Sequence, residues 1–572
     1  MAMLDRGGNA FDAAVAAAFV LQVVEPHLNG PAGDASILAY APATGTPKAI
    51  CGQGPMPAGA SLARFRELGL TQIPGSGLLP ATVPGVFGSL MLLLAEFGTR
   101  SLADVLDAAI GYADKGFPLL PEVAEAISTL APLFRTEWPG SGATYLCAGA
   151  APAAGVRFRN PALARTFRRI LAEAQAASTT REGQIEAAHK SFYEGFVAES
   201  VDAFVRRTEA IDATGRRHRG FLTGQDLATW RPQLDEALGC RYRSYDVFKP
   251  GPWSQGPVFL QQLALLEGFE LADMGLDSAE YLHTLTECAK LAFADREAWY
   301  GDPDHYDVPM AALLSSQYTR ARRELVRKDA AERLRPGQPD GRTPWMPSAE
   351  AHQPQPGADA WLTQLASGVP TIVQATAARG DTCCVTATDA AGNTVAIVPS
   401  GGWLKSSPAI AELGFGLGTR GQTMWLVEGH PNALAPGRRP RTTLSPTVVL
   451  RDGQACLAFG TPGGDRQDQW TLEFFLGVVE FGLDTQAATE TLAFHCDAVP
   501  ASFTPRESRP RGLTVERDCP IEAVEELRRR GHDLVLAPSL SLGRVCATGV
   551  SRDGFITAAA SPRGRHAYAA IR

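Results

Sequence analysis

A proline-rich stretch, residues 332–380, divides the chain into two parts with different hydrophobic patterns. It combines many polar residues with seven prolines: Pro336, Pro339, Pro344, Pro347, Pro354, Pro356 and Pro370. Because proline interrupts helices and central strands, this composition predicts an exposed connector. The part before the connector is rich in helical patterns and the part after it is rich in strand patterns, which is typical of an α/β protein.

Hydrophobic periodicity gives the individual elements. Apolar residues recur every three or four positions in segments that predict helices at Ala10–Val24, Val86–Phe97, Leu102–Lys115, Pro161–Ala177, Val197–Arg207, Pro257–Glu267 and Ser278–Trp299. Strands are predicted at Ser36–Tyr40, Tyr242–Phe248, Thr382–Thr388, Thr394–Val398, Pro446–Arg451, Ala455–Phe459, Gly543–Gly549 and Phe555–Ala559. A Gly-Asn turn joins the third and fourth of these strands, which predicts a hairpin.

Composition limits the function classes. The 572 residues are 45% hydrophobic and 20% charged, with a net charge of −8, which argues against a nucleic-acid-binding protein. No window offers the roughly 18 uncharged apolar residues of a membrane span. Ten cysteines occur without a C-x-x-C pair, which predicts reduced thiols and no metal site, and favours a cytoplasmic enzyme.

Several common motifs are missing or incomplete. The chain has no G-x-S-x-G, H-E-x-x-H or Walker A sequence. The glycine-rich segment 414–421 could line a phosphate, but it lacks the context of a dinucleotide-binding turn. Asp302-Pro303-Asp304 begins like a calcium loop without its downstream glycine and glutamate, so a capping turn is the better interpretation. His495-Cys496 is interpreted as a core pair.

Thr382 is the remaining candidate for chemistry. It begins a predicted strand directly after the connector. If the bond between Asp381 and Thr382 is cut, Thr382 gains a free α-amine of pKa roughly 7.7–8.0 beside its own hydroxyl, which supplies a general base and a nucleophile in one residue. From the local pattern alone an ordinary β-branched strand residue is the better interpretation, and a nucleophile is the alternative that stays open at this point.

Long stretches of the chain resemble the γ-glutamyltranspeptidase family of N-terminal nucleophile hydrolases. The resemblance includes Gly7-Gly8-Asn9-Ala10-Phe11-Asp12-Ala13-Ala14 near the start and the nucleophile pattern in which Asn393 follows Thr382 by eleven residues. Further matching blocks follow in the family's order at residues 83–86, 96–98, 192–195, 223–227, 292–304, 439–446 and 461–466. The similarity covers almost the whole chain, so the chain is identified as resembling this family throughout.

The resemblance implies roles for particular residues. Thr382 corresponds to the nucleophile, and Ser400 stands where the family has a threonine whose hydroxyl supports the nucleophile's amine. Gly463 and Gly464 correspond to the pair whose backbone N–H groups face the developing oxyanion. Thr442 and Thr443 replace two serines that bind the substrate carboxylate, and they keep hydroxyl donors.

The clamp for an α-amino acid departs from the family pattern. The early loop, residues 54–61, has no arginine for the α-carboxylate, and the region Arg420–Met424 has no acid for the α-amine. This pattern resembles the transpeptidase-like amidohydrolases and acylases, whose acyl groups are acidic but lack an α-amine. Arg441 or Arg420 is therefore a candidate anchor for a substrate carboxylate, and the alternative is that both are solvent-exposed arginines.

The resemblance further implies a four-layer αββα sandwich built from two chains after self-cleavage. These would be a large chain, residues 1–381, and a small chain, residues 382–572, that remain each other's partners. The expected activity is cleavage of small amide substrates through a threonine acyl-enzyme, without a metal or cofactor. The alternatives are a genuine γ-glutamyltranspeptidase or glutathione hydrolase, and an unprocessed, non-enzymatic relative.

One family feature is not matched at the start of the chain. Family members carry a strand and a short helix before the Gly7-Gly8 motif, whereas here only six residues precede it. The sequence therefore predicts either a start upstream or an unpaired edge in the central sheet, and the compartment stays an expectation.

Overall fold

A computed structural model describes residues 1–346, 382–504, 506–551, 553–564 and 567–571. Most of the predicted connector and Asp381 lie outside the described residues. The described beginning of the connector, residues 332–346, contains a single 3₁₀ turn at Pro339–Gly341.

Strands occur on both sides of the connector. They are β1 (Asp34–Tyr40), β2 (Lys48–Gly52), β3 (Phe117–Pro118), β4 (Arg157–Phe158), β5 (Ala210–Ile211), β6 (Arg217–His218), β7 (Gln233–Glu236), β8 (Leu238–Tyr242), β9 (Tyr245–Lys249), β10 (Val385–Thr388), β11 (Thr394–Ser400), β12 (Thr447–Arg451), β13 (Gln454–Gly460), β14 (Phe494–Cys496), β15 (Gly512–Glu516), β16 (Asp533–Ala537), β17 (Cys546–Val550) and β18 (Ile556–Ala560).

The α-helices of the described residues fall mostly before the connector. They are α1 (Ala2–Asp5), α2 (Ala10–Val24), α3 (Leu62–Glu67), α4 (Val86–Phe97), α5 (Leu102–Lys115), α6 (Pro121–Thr136), α7 (Pro139–Tyr145), α8 (Pro161–Ala177), α9 (Arg181–Tyr193), α10 (Phe196–Arg207), α11 (Gly224–Ala228), α12 (Gly256–Leu266), α13 (Leu271–Met274), α14 (Ala279–Trp299), α15 (Met310–Leu313), α16 (Ser316–Arg323), α17 (Gln467–Val479), α18 (Thr485–Glu490) and α19 (Ile521–Arg529). None of them is long and apolar enough to cross a bilayer.

Two large sheets form the centre of the molecule. The first has the strand order β10-β11-β1-β2-β7, and the second has the order β18-β17-β13-β12-β9-β8. Neighbouring strands in both sheets run antiparallel. Each sheet combines strands from both sides of the connector, so the predicted large and small chains share one fold.

Three apolar layers hold the sheets and helices together. The layer between the sheets contains Leu38 of β1, Ala396 of β11, and Val448 and Leu450 of β12. A larger cluster packs the helices around α2, α4 and α5 against the outer face of the first sheet. Another packs α12, α14 and α17 against the second sheet. The order helix, sheet, sheet, helix is the expected αββα sandwich.

The predicted helices and strands correspond closely to the structure, with one clear difference. Tyr242–Phe248 was expected to form one strand, but it belongs to a hairpin of β8 and β9. Arg243 at the turn has φ 53°, a left-handed conformation that reverses the chain. A single residue in that conformation leaves no mark on the hydrophobic periodicity, which explains why the prediction was wrong.

The motif at Gly7–Ala14 begins α2 through several hydrogen bonds that need its particular side chains. Asn9 caps the helix by accepting a hydrogen bond from the Asp12 N–H at 3.0 Å, and the Asp12 carboxylate accepts from the Asn9 N–H at 2.9 Å. The same carboxylate accepts hydrogen bonds from Thr99 and Arg100 after α4. The N–H of Ala10 donates to Asp389 in the β10–β11 turn at 2.9 Å, which ties α2 to the hairpin that carries Thr382.

Candidate active site

Thr382 lies three residues before Val385, which begins β10, an edge strand of the first sheet as described. It pairs with Ser400 through an isolated antiparallel bridge, and Cys383 N–H donates to the carbonyl of Pro399 at 3.0 Å. The hydroxyls of Thr382 and Ser400 are 3.0 Å apart, and both residues are buried. Ser400 therefore contacts the nucleophile candidate directly, through its hydroxyl. The expectation for this residue was support of the amine, which does not exist as a free group in the uncut chain.

Asp34 lies in the same cross-strand row as these two residues. In the register of β1 and β11, Asp34 is the partner of Ser400, which is the partner of Thr382. Residues directly opposite in antiparallel pairs project to the same face of a sheet, at Cα separations of about 4.5–5.5 Å. Thr382, Ser400 and Asp34 therefore share one face, with Asp34 about 10 Å from the nucleophile candidate by two such steps.

Glycines bring the loop before β1 against the end of β11. A Cβ on Gly33 would lie 2.0 Å from the carbonyl oxygen of Ser400, and one on Gly30 would lie 2.7 Å from that of Gly402. Gly401 and Gly402 have φ 73° and 63°. Only glycine permits both the close backbone approach and these conformations, so the segment Asn29–Gly33 packs directly against the end of β11 that carries Ser400.

Arg420 forms a buried ion pair with Asp34. Its Nε and Nη2 donate to the two carboxylate oxygens at 2.8 and 3.0 Å, and the Thr442 hydroxyl lies 3.4 Å from Oδ2. Both side chains are 2–3% exposed. Burial raises the pKa of Asp34, and this effect outweighs the opposing attraction of Arg420 and the hydrogen bond from Thr442.

The loop after β13 contains the predicted oxyanion residues. Gly463 has φ 131° and Gly464 has φ 57°, so both occupy conformations that favour glycine. A Cβ on Gly463 would lie 2.2 Å from the Trp470 ring. The preceding Pro462 and Thr382 line the same cavity of about 430 Å³, and a Cβ on Gly460, at the end of β13, would lie 2.9 Å from Cys384 Sγ.

A network of charged side chains supports this loop from the large chain. Arg296 of α14 lies 2.5 Å from Asp465, directly after Gly464, and 2.8 Å from Glu297. Asp465 also accepts hydrogen bonds from the N–H and hydroxyl of Ser502 at 2.9 and 2.5 Å. Burial alone would raise the pKa of Asp465, but Arg296 and Ser502 together hold it below its usual value.

Arg441 belongs to the same network. Its Nη2 donates to Glu297 at 2.6 Å and its Nη1 donates to the backbone carbonyl of Arg296 at 2.9 Å. The side chain is 2% exposed. Arg441 thus has an internal carboxylate partner, so its role as a substrate anchor is not supported. The alternative of two solvent-exposed arginines is wrong for both Arg441 and Arg420, because each is buried against a carboxylate.

The predicted site residues thus divide into two groups. The structure brings Thr382 and Ser400 together and places Thr442 and Arg420 around Asp34. Thr443 is buried beside Thr442. Sequence reasoning missed Asp34, because it looked for an acid near Arg420 in sequence and not across the sheet. It also missed Arg296, although this residue lies inside the matching block 292–304.

The fold and site together define a class of protein. A buried threonine that leads into a strand and has a hydroxyl partner, in an αββα sandwich, is typical of N-terminal nucleophile hydrolases. The family model described as gamma-glutamyltranspeptidase matches residues 1–571. The chain belongs to the gamma-glutamyltranspeptidase family, whose members act on amide bonds.

Individual relatives agree with this assignment. A solved structure of LmbA2991 is 49% identical, with a TM-score of 0.92 that covers 100% of this chain and 96% of that one. Cephalosporin acylase from Bacillus halodurans is 27% identical, with a TM-score of 0.80 over 98% of this chain and 91% of the acylase. The glutathione hydrolase-like YwrD proenzyme of Bacillus subtilis (strain 168) is 28% identical over 100% of this chain and 95% of its own length.

Proposed function

We propose that this protein is a self-processing amidohydrolase in which Thr382 is the nucleophile of both processing and turnover. The observation that carries the proposal is the pair formed by Thr382 and Ser400, whose buried hydroxyls are 3.0 Å apart. Thr382 also lines the same cavity as Pro462, the residue before Gly463. The relatives described as a proenzyme and as an acylase support it.

Processing separates the large chain from the small chain. The Thr382 hydroxyl attacks the carbonyl carbon of Asp381, and the peptide nitrogen of Thr382 leaves with a proton, which converts the amide into an ester. Water then cleaves the ester. The products are a large chain ending in the carboxylate of Asp381 and a small chain whose first residue carries a free α-amine. Both chains stay together because each sheet contains strands from both.

Turnover uses the group that processing creates. The Thr382 α-amine takes the proton of the hydroxyl, the oxygen attacks the substrate carbonyl, and the C–N bond breaks as the leaving amine takes that proton. The backbone N–H groups of Gly463 and Gly464 stabilise the oxyanion, an effect worth about 10²–10³ in rate per donor. Water then hydrolyses the acyl-Thr382 ester, in preference to transfer to a second amine.

A denaturing gel and mass spectrometry test the processing step. The wild type should run as two chains of 381 and 191 residues, with the smaller beginning at Thr382. Thr382→Ala should run as one chain of 60.8 kDa without amidase activity. Thr386→Ala, on β10 but outside the reaction, is the matched control and should be cut normally. Cutting in Thr382→Ala, or an uncut wild type, would overturn the proposal.

A further inference from the structure

We propose that the ion pair between Asp34 and Arg420 makes this site select an uncharged acyl group that carries a hydrogen-bond-accepting oxygen at its far end. The inference rests on the proposed function, because it assigns the acyl subsite of the enzyme whose nucleophile is Thr382. It replaces the expectation of an acidic acyl group.

The position of the pair follows from the strand register. Asp34 faces the same side of the sheet as Thr382, two strands away, so an acyl group attached to Thr382 can extend across Ser400 toward the pair. The Phe503 ring lies 5.5 Å from the guanidinium carbon of Arg420, and its edge lies 3.5 Å from the Cβ position of Gly464. The pair therefore lies within reach of both the nucleophile and the oxyanion loop.

The groups that would bind a substrate carboxylate already hold one from the chain itself. Arg420 donates two hydrogen bonds to Asp34, and Thr442 lies beside the same carboxylate. A substrate carboxylate would have to share one guanidinium with Asp34 in a buried site. Two carboxylates in such proximity repel each other and one must take up a proton, so an anionic acyl group is disfavoured.

Arg420 nevertheless keeps donor capacity. Among the described residues, its Nε and Nη2 bind Asp34, and its Nη1 makes no hydrogen bond. The rings of Trp403 and Phe503 lie 5.7 and 5.5 Å from the guanidinium carbon and give the subsite apolar walls. An amide or ketone oxygen can accept from Nη1 without adding charge, so a neutral oxygen is the group that fits this donor.

An α-ammonium group does not fit the same subsite. The carboxylate that the described residues place beside Arg420 is that of Asp34, which is 3% exposed and already bound by Arg420. Thr382 and Arg420 are 5% and 3% exposed in the uncut chain, so the inference concerns the cut enzyme of the proposed function. A neutral oxygen can accept from Nη1 with the ion pair intact, whereas an ammonium group reaches Asp34 only if the ion pair breaks.

Four p-nitroanilides of one acyl length test the inference on the processed wild type. They are 4-carbamoylbutanoyl, with a terminal amide; glutaryl, with a carboxylate; pentanoyl, with neither; and γ-glutamyl, with a carboxylate and an α-amine. We expect kcat/KM for the carbamoyl compound to exceed that of each other compound at least tenfold. A glutaryl or γ-glutamyl preference, or equal rates for carbamoyl and pentanoyl, would overturn the inference.

Two variants assign the selectivity to the pair. Asp34→Asn leaves Arg420 as an unshared cation, so the preference should change to glutaryl by at least tenfold relative to wild type. Arg420→Met should remove the advantage of the carbamoyl compound over pentanoyl. A folded, processed Asp34→Asn that still prefers the carbamoyl compound would contradict the charge argument. The wild-type series decides the proposal if a variant does not fold.

The outcomes separate the two proposals. A correctly cut wild type that hydrolyses none of the four compounds or a wider set of amides would refute the proposed amidohydrolase. A cut wild type that hydrolyses them in the wrong order leaves the amidohydrolase standing and refutes the acyl subsite alone.

Discussion

Two buried Asp–Arg pairs, one in register with Thr382 and one directly after Gly464, are built differently. The strand pair, Asp34 with Arg420, has a carboxylate contacted by one guanidinium and, at 3.4 Å, one hydroxyl. The loop pair, Asp465 with Arg296, adds two short hydrogen bonds from Ser502. Burial therefore decides the pKa of Asp34, which is raised, whereas the partners decide that of Asp465, which is lowered.

This difference in partners indicates that the strand pair binds the substrate, whereas the loop pair stabilises the backbone. A carboxylate with its full set of donors stabilises the backbone around it, and Asp465 does this for the loop of Gly463 and Gly464. A pair with fewer partners, and with Arg420 Nη1 unbonded among the described residues, stabilises the fold less and can respond to a ligand.

The loop pair should contribute most to stability. Arg296→Met leaves the carboxylates of Asp465 and Glu297 without their shared cation, and removing one partner of a buried pair costs about 3–5 kcal/mol. Thermal unfolding of the processed protein should show a large fall in Tm. Arg64→Met, which removes an exposed pair with Glu67, is the control and should cost less than about 1 kcal/mol. If Arg296→Met and Arg64→Met lowered Tm equally, the loop pair would not have the proposed stabilising role.

The oxyanion loop should not tolerate a side chain. Gly463→Ala places a Cβ against the Trp470 ring and should lower kcat at least about 10²-fold by displacing an oxyanion donor. Gly453→Ala also has positive φ, at 76°, but no atom lies within 4 Å of its Cβ position, so it reports backbone strain alone. If both variants keep full kcat, the loop does not have the proposed role.

Removing the hydroxyl of Ser400, which lies between Thr382 and the strand pair, should have a smaller effect on activity. Ser400→Ala removes the hydroxyl 3.0 Å from that of Thr382, and a hydrogen bond worth about 0.5–1.5 kcal/mol corresponds to a loss of roughly 3–10-fold in kcat/KM. Ser400→Thr keeps the hydroxyl and should retain most of the activity. A Ser400→Thr variant as impaired as Ser400→Ala would assign the residue a packing role.

The smallest expected effect is a difference in pH dependence. The folded-state pKa of Asp34 lies above the model-peptide value of 3.8, so its stabilisation is complete below that value and is lost as pH rises through the folded pKa. The folded-state pKa of Asp465 is lowered, so its stabilisation is complete above pH 3.8 and is lost only as pH falls below it.

Urea unfolding between pH 4 and 6 distinguishes the two. The stability difference between wild type and Asp34→Asn should shift against the wild type as pH rises, whereas the difference for Asp465→Asn should stay constant. Parallel curves for the two variants would show that the pairs do not differ in the way their geometry indicates.

Much of the fold could be predicted because it depends on local patterns. The helices predicted at Val86–Phe97 and Leu102–Lys115 have the same bounds in the structure. They could be predicted because apolar residues on the buried face of a helix recur every three or four positions. Thr382 and the glycines 463 and 464 were found through a resemblance to a family. The turn at Arg243 and the partners of Arg420 and Arg441 could not be found, because they depend on contacts across the sandwich.

The sequence by itself determined the class of fold, the candidate nucleophile and the residues that can approach it without a side chain. Only the tertiary structure decided what the charged residues do. Asp34 and Arg420 are 386 positions apart, and Glu297 and Arg441 are 144 apart. The charge that a substrate meets depends on which acid lies beside which arginine, and strand register and burial set that pairing.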